Sequence, residues 1–149
     1  MVNVLLLFQA VVAGALTPIQ TTLNAQVARH LGHGLWGTVT NFTVGLLALL
    51  ALCAVLRIPA PDFGRGGELP WYFWIGGGLM GAFFVFTSLT IAPRLGVTLL
   101  LAATLAGQLA ASVAMDHYGV LGLPRQEISL ERVLGNLLLV AGVWLVRRP

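Results

Sequence analysis

Charged residues divide this chain into five apolar stretches, and no other feature constrains its fold as strongly. The stretches run from the N-terminus to Ala28, then Leu35 to Leu56, Trp71 to Ala92, Leu95 to Met115 and Val133 to Val146. Four of them are 21 residues or longer. At about 1.5 Å per residue, a helix of that length crosses a hydrocarbon layer roughly 30 Å thick. The fifth is 14 residues, a length that also suits a buried or re-entrant helix. Arg132 before it and Arg147 and Arg148 after it can nevertheless carry their charges to the two interfaces on long stems. The expectation is an all-α integral membrane protein: a five-helix bundle in one transmembrane domain, residues 1–149, with spans near 3–28, 35–56, 71–92, 95–115 and 131–147. Only 9% of residues are charged, against about 25% in a soluble domain.

Several other readings lose ground on the same residues. Ala13-Gly14-Ala15 resembles a signal-peptide cleavage site, but no basic segment precedes it and the apolar run continues past it, so the first span is read as retained. The lone Cys53 offers neither an intrachain disulfide nor a cysteine metal site. The connections at 29–34, 57–70, 93–96 and 116–132 leave no room for a soluble catalytic or nucleic-acid-binding module. No phosphate loop, metal cluster or nucleophile motif is present, and neither an enzyme nor a cofactor is expected. Trp36, Trp71, Tyr72, Trp74, Tyr118 and Trp144 fall where an interfacial aromatic belt would lie.

With five spans the termini lie on opposite sides of the bilayer. The N-terminal side receives Arg57, Arg65, Arg125 and Arg132, and the other side Arg29, Arg94, Arg147 and Arg148. Four against four gives no positive-inside bias. The chain is therefore expected to insert both ways and to pair antiparallel with an inverted copy of itself or of a close paralogue; the alternative is that one orientation wins through features other than the arginine count. Inverted repeats around a midplane site are a recurring plan of secondary transporters, and a five-span chain is one such repeat.

The first span carries the clearest site signal. Pro18 falls within roughly 3 Å of its midpoint at helical rise. A proline there has no N–H to offer the carbonyl of Gly14, so a kink or break is expected, with a glycine leaving room beside it. Thr17, Gln20, Thr21 and Asn24 recur at three- and four-residue spacing and form a polar stripe on one helix face. Such groups are tolerated in lipid only when protein or a cavity covers them. Candidate partners are Thr38 and Asn41 in the second span and Thr104, Gln108, Ser112 and Asp116 in the fourth. Close packing is expected at Gly77 and Gly81, and at Ala103, Gly107 and Ala111, from their small-xxx-small spacing. Gln20, Asn24, Asn41 and Gln108 are read either as interhelical glue or as groups that touch a transported solute. Phe83, Phe84 and Phe86 are read either as aromatic cavity walls or as ordinary packing.

Asp116 and His117 are adjacent, so on a helix they point about 100° apart and cannot face each other as an acid–base pair. Asp116 is assigned instead to an interfacial network with Arg125 or Arg132, or to a proton-responsive gate. His30 and His33 are read as ordinary loop residues.

Taken together, Gly14, Pro18, Gln20 and Asn24, Asn41-Phe42 with Gly45, the run WYFWIGGGLMG at 71–81, Pro93 with Leu95-Gly96, Gly107-Gln108 with Ser112, DHYG at 116–119, and Arg132 with Gly135 resemble the YdcZ-type family of the drug/metabolite transporter superfamily. The resemblance covers nearly the whole chain. It implies a small multi-pass protein of the bacterial inner membrane, and an antiparallel arrangement such as dual-topology relatives adopt. One departure matters. Related small multidrug transporters use a glutamate in the first span, whereas neither the first span nor any other of the five charge-free stretches here holds a carboxylate. Exchange of a proton for a lipophilic cation on a buried acid is therefore not expected. The expected function is secondary transport of a small neutral or zwitterionic solute through an antiparallel dimer; the alternative is a non-transporting structural or regulatory membrane subunit. The partners expected are the lipid bilayer, a second copy or paralogue, and the solute, with no nucleic acid.

Overall fold

A computed structural model describes residues 4–62, 64, 69–122, 124–126 and 128–146. Arg65, Arg147 and Arg148, and the outermost residues expected for the first and last spans, lie outside that set. The described residues form five α-helices: α1 (Val4–His30), α2 (Gly34–Val55), α3 (Trp71–Leu95), α4 (Val97–Tyr118) and α5 (Leu130–Val146). The first four are long and apolar enough to cross a membrane. At 17 residues, α5 reaches about 25 Å along its axis, a few ångströms short of the hydrocarbon thickness.

The helices extend past the charge-free stretches at several ends. Chain geometry, not charge, stops a helix, and an arginine in a terminal turn stays helical while its stem reaches the interface. Thus α1 continues through Arg29 and His30, and α3 through Pro93 and Arg94. At the end of α4, Gly119 adopts a left-handed conformation (φ 61°) and donates its N–H to the carbonyl of Met115, a stop that favours glycine. His33 caps α2, its Nδ1 accepting from the Leu35 N–H at 3.1 Å. That is a defined role for a residue the sequence placed simply in a loop.

The chain divides into two compact units, one ending at Arg94 and one beginning at Leu95. In the first, α1 packs along α2. Ala25 and Ala28 of α1 form a small buried cluster with Leu89 of α3, and Val85 packs against it. In the second, α4 packs along α5. None of the described side chains is fully buried, and long apolar rows such as Leu46, Leu47 and Leu50 are exposed. In a bilayer those rows need no protein cover, because lipid is as apolar as they are.

Of the described glycines, Gly37 is the most tightly enclosed by another helix. A Cβ there would lie 2.7 Å from the Ala28 Cβ and 2.8 Å from the Asn24 carbonyl oxygen. Only glycine lets α2 sit this near α1, and the contact sets the distance across which the polar groups below must reach.

Candidate functional site

Three amide side chains meet between α1 and α2. Gln20 donates from Nε2 to Asn41 Oδ1 at 3.2 Å, and Asn24 donates from Nδ2 to the same oxygen at 3.0 Å. Gln20 and Asn24 are four residues apart and so stand one above the other on α1. A single carbonyl from α2 can then accept from both. Asn41 is itself one turn beyond Gly37 on α2, so the close approach at that glycine brings the three amides within bonding distance.

The same face of α1 continues into a small cavity shared with α3. Thr17, Gln20, Thr21 and Asn24 line one side, and Phe84, Val85, Ser88 and Leu89 the other. Thr21 and Ser88 are buried. The cavity measures about 10 Å³, roughly one water molecule. The space between the stripe and α3 is thus narrow, while Gln20 at its edge is exposed. Of the three phenylalanines considered as cavity walls, Phe84 lines this space; Phe86 lies instead beside Gly34, and Phe83 is exposed.

Most hydroxyls in the helices do not reach another helix. Thr17 donates to the Ala13 carbonyl, Thr22 to Pro18, Thr38 to Gly34, Thr104 to Leu101 and Ser112 to Leu109. A hydroxyl can satisfy itself on the preceding turn of its own helix, whereas an amide has two donors and an acceptor and must look elsewhere. The residues that link helices in the first unit are accordingly the amides.

The proline does not break α1. Helical structure runs unbroken from Val4 to His30 with Pro18 inside it, which corrects the expected break. Loss of one donor removes one rung of the ladder, and the rungs on either side hold the helix together. Gly14, one turn earlier, is exposed, and a Cβ at that position would meet nothing within 4 Å. Gly77 and Gly107 also face open space, whereas a Cβ on Gly81 would touch the Phe42 ring at 3.5 Å. Within one chain, Gly81 therefore supports a helix contact and Gly14, Gly77 and Gly107 do not.

The second unit brings together a different set. Arg132, in the first turn of α5, donates from Nη1 to Asp116 Oδ2 at 3.1 Å and from Nη2 to Gln126 Oε1. The backbone N–H of Gln126 also donates to the Asp116 carbonyl at 2.8 Å. Asp116 occupies the last turn of α4, where a negative charge opposes the helix dipole, and the guanidinium offsets it. Of the two arginines the sequence offered to Asp116, the geometry pairs it with Arg132. His117 turns away, edge-on to the Tyr118 ring at 5.0 Å, with Nδ1 buried and unpartnered. Beside the ion pair lies a cavity of about 340 Å³ whose polar lining is Ser112, Asp116, Arg132 and Asn136. Gln108, within α4, lines neither cavity, and its side chain makes no hydrogen bond to another described residue. Among the described residues no cluster of His, Cys, Asp and Glu could hold a metal ion.

Sequence reasoning overlooked Gly37, Gln126 and Asn136. For Gly37 a signal was present, since Gly37, Asn41 and Gly45 recur every four residues on one face of α2. For the other two there was none beyond residue type.

Comparison with known proteins gives these features a family. Residues 5–145 match the family described as "Putative inner membrane exporter, YdcZ". The chain is 27% identical over 138 residues to the inner membrane protein YdcZ of Escherichia coli (strain K12), covering 93% of this chain and 91% of that one. No solved structure matches. This chain belongs to the YdcZ family, a transporter family, and is a multi-pass protein of the inner membrane.

Proposed function

We propose that this protein is the subunit of a small exporter that moves a neutral or zwitterionic solute, working as an antiparallel dimer with an inverted copy of itself or of a close paralogue. The observation that carries this reading is the amide cluster of Gln20, Asn24 and Asn41, set within membrane-spanning helices and bordering a cavity. Polar groups at that depth are costly and are kept for a task. Amides and hydroxyls without a carboxylate recognise dipoles and balanced charges, which favours neutral and zwitterionic solutes over cations. The water-sized cavity fits a closed member of an alternating-access cycle, in which a second repeat opens the site to each side in turn. The balance of four arginines on each side supports the inverted pairing. So do Gly14, Gly77 and Gly107, small residues that face open space in the single chain. The family description supports outward movement.

One observation favours a second reading, a structural or regulatory subunit that transports nothing: the three amides bond one another across α1 and α2. Proteoliposomes loaded with pooled small metabolites separate the two. Transport by the native protein, lost in the Gln20→Leu/Asn24→Leu double variant while crosslinked dimer persists, supports the exporter. Transport that survives the double change refutes this site. No transport of any solute, with the double variant merely less stable, leaves the structural subunit.

A further inference from the structure

The cavity of the second unit, between α4 and α5, plays no part in the reading above. Its volume of about 340 Å³ is at the lower end of the roughly 300–1,000 Å³ typical of small-molecule sites. Three apolar side chains, Leu109, Val113 and Leu139, form its wall. Gly135 opens it: a Cβ there would meet nothing within 4 Å, so the space beside that backbone is vacant for a ligand.

The charged end is what selects an occupant. Asp116 and Arg132 line the cavity together, with side chains 33% and 40% exposed. An ion pair this open contributes little to stability, so exchanging it for ligand contacts costs little. Asp116 uses only Oδ2 in hydrogen bonds to described residues, and Oδ1 remains to accept. A simple anion in this cavity meets the Asp116 carboxylate, and a simple cation meets the guanidinium. A molecule carrying both signs meets an opposite charge at each. Ser112 and Asn136 add a hydroxyl and an amide beside the pair.

We infer that the cavity between α4 and α5 binds a zwitterion: its ammonium on Asp116, its anionic group on Arg132, and its apolar body along Leu109, Val113 and Leu139. Two sources carry this chemistry, a free amino acid with an apolar side chain and the headgroup of a zwitterionic phospholipid. Asp116 stands in the last turn of a membrane-spanning helix, at a depth both can reach.

Binding to the purified full-length protein in an uncharged detergent, read by saturation-transfer NMR, tests the inference. The probes are L-leucine, with 3-methylbutylamine and 4-methylpentanoate as its single-charge analogues, and dihexanoylphosphatidylethanolamine, with the phosphatidylglycerol counterpart as its anionic analogue. At least one zwitterion should bind saturably and about tenfold or more tighter than its single-charge analogues. Leucine binding identifies a soluble solute, and binding of the phosphatidylethanolamine alone identifies a lipid. Asp116→Asn and Gly135→Leu should each weaken that binding about tenfold or more. Gly135→Leu fills the cavity and leaves both charged residues in place, and it keeps the test decisive if the charge variant fails to fold. The inference is overturned if neither zwitterion binds with a dissociation constant below about 10 mM, if single-charge analogues bind as well, or if Gly135→Leu leaves binding unchanged. Because the readout is binding at α4 and α5, its failure does not touch the exporter reading, which rests on uptake through Gln20 and Asn24.

Discussion

Replacing Asn41 with leucine removes the one oxygen on which two interhelical hydrogen bonds converge, from Gln20 at 3.2 Å and from Asn24 at 3.0 Å. Hydrogen bonds between membrane helices average about 0.6 kcal/mol and reach about 1.7 in double-mutant cycles. Loss of both should therefore cost about 1.2 kcal/mol, with an upper bound near 3.4. The shape of the effect is more diagnostic than its size. In a double-mutant cycle with leucine substitutions, Gln20 with Asn41 and Asn24 with Asn41 should each show coupling of about 0.6 kcal/mol or more. Gln20 with Asn24, which converge on one acceptor, should be more than additive, because only the double change leaves Asn41 Oδ1 without a donor. Reversible unfolding in mixed detergent micelles, followed by tryptophan fluorescence, measures all three. Coupling below about 0.3 kcal/mol in both Asn41 pairs would refute the claim that these amides stitch α1 to α2.

Other expectations follow from single positions. Gly37→Ala places a methyl 2.7 Å from the Ala28 Cβ and should cost about 1–3 kcal/mol in the same unfolding assay. Gly77→Ala meets no neighbour, so it should leave the monomer within about 0.5 kcal/mol of native and weaken only self-association, measured by crosslinking. Pro18→Ala restores the donor for the Gly14 carbonyl inside an unbroken helix and should raise stability by about 1 kcal/mol or more; a fall in stability would mean that α1 depends on the proline for its packing. A C-terminal reporter that is active on either side of the membrane should register both orientations of the native chain and mostly one after a single added lysine in a loop. A native chain with its C-terminus on one side only would refute dual insertion.

What the sequence made legible was decided by long runs of similar residues. An apolar stretch without charge has one outcome in a bilayer, a helix, so α1 to α4 were readable to within a few residues at each end. The ends themselves were less so, because Arg94 and the DHYG segment end a hydropathy pattern earlier than they end a helix. Residue type also identified which side chains needed partners: Gln20, Asn24 and Asn41 are amides that a single helix cannot satisfy. Which amide bonds which depended on a glycine in the other helix, Gly37, whose importance is a distance between backbones that no spacing within one helix encodes. The same holds for Asp116. Its need for a cation was evident from its place at a helix C-terminus, but the choice of Arg132 over Arg125 depends on how the segment between α4 and α5 turns, with the Gln126 N–H on the Asp116 carbonyl. Pro18 misled in the opposite direction: one missing rung in a helix of 27 residues is a local cost, and neighbouring turns absorb it.

The length of α5 ties the local structure to the proposed assembly. If α5 crosses the bilayer, the arginines divide four and four, and neither orientation is favoured. If it does not, Arg147 and Arg148 join Arg57, Arg65, Arg125 and Arg132, and six oppose the two at Arg29 and Arg94. A single orientation would then be strongly preferred, and an inverted partner could not be a second copy of the same chain. The described helix of 17 residues sits near that threshold, at about 25 Å against a core of roughly 30 Å. A deficit of this size can be met by local thinning of the bilayer or by flanking arginines that snorkel, at a fraction of a kcal/mol per ångström. Arg132 is poised for the second route, but its guanidinium is already engaged by Asp116 and Gln126. It therefore anchors α5 to the end of α4 rather than to lipid headgroups alone. The ion pair that borders the α4–α5 cavity joins the start of α5 to the end of α4, so whether the arginine balance that permits an inverted dimer is realised turns on how far α5 reaches beyond it.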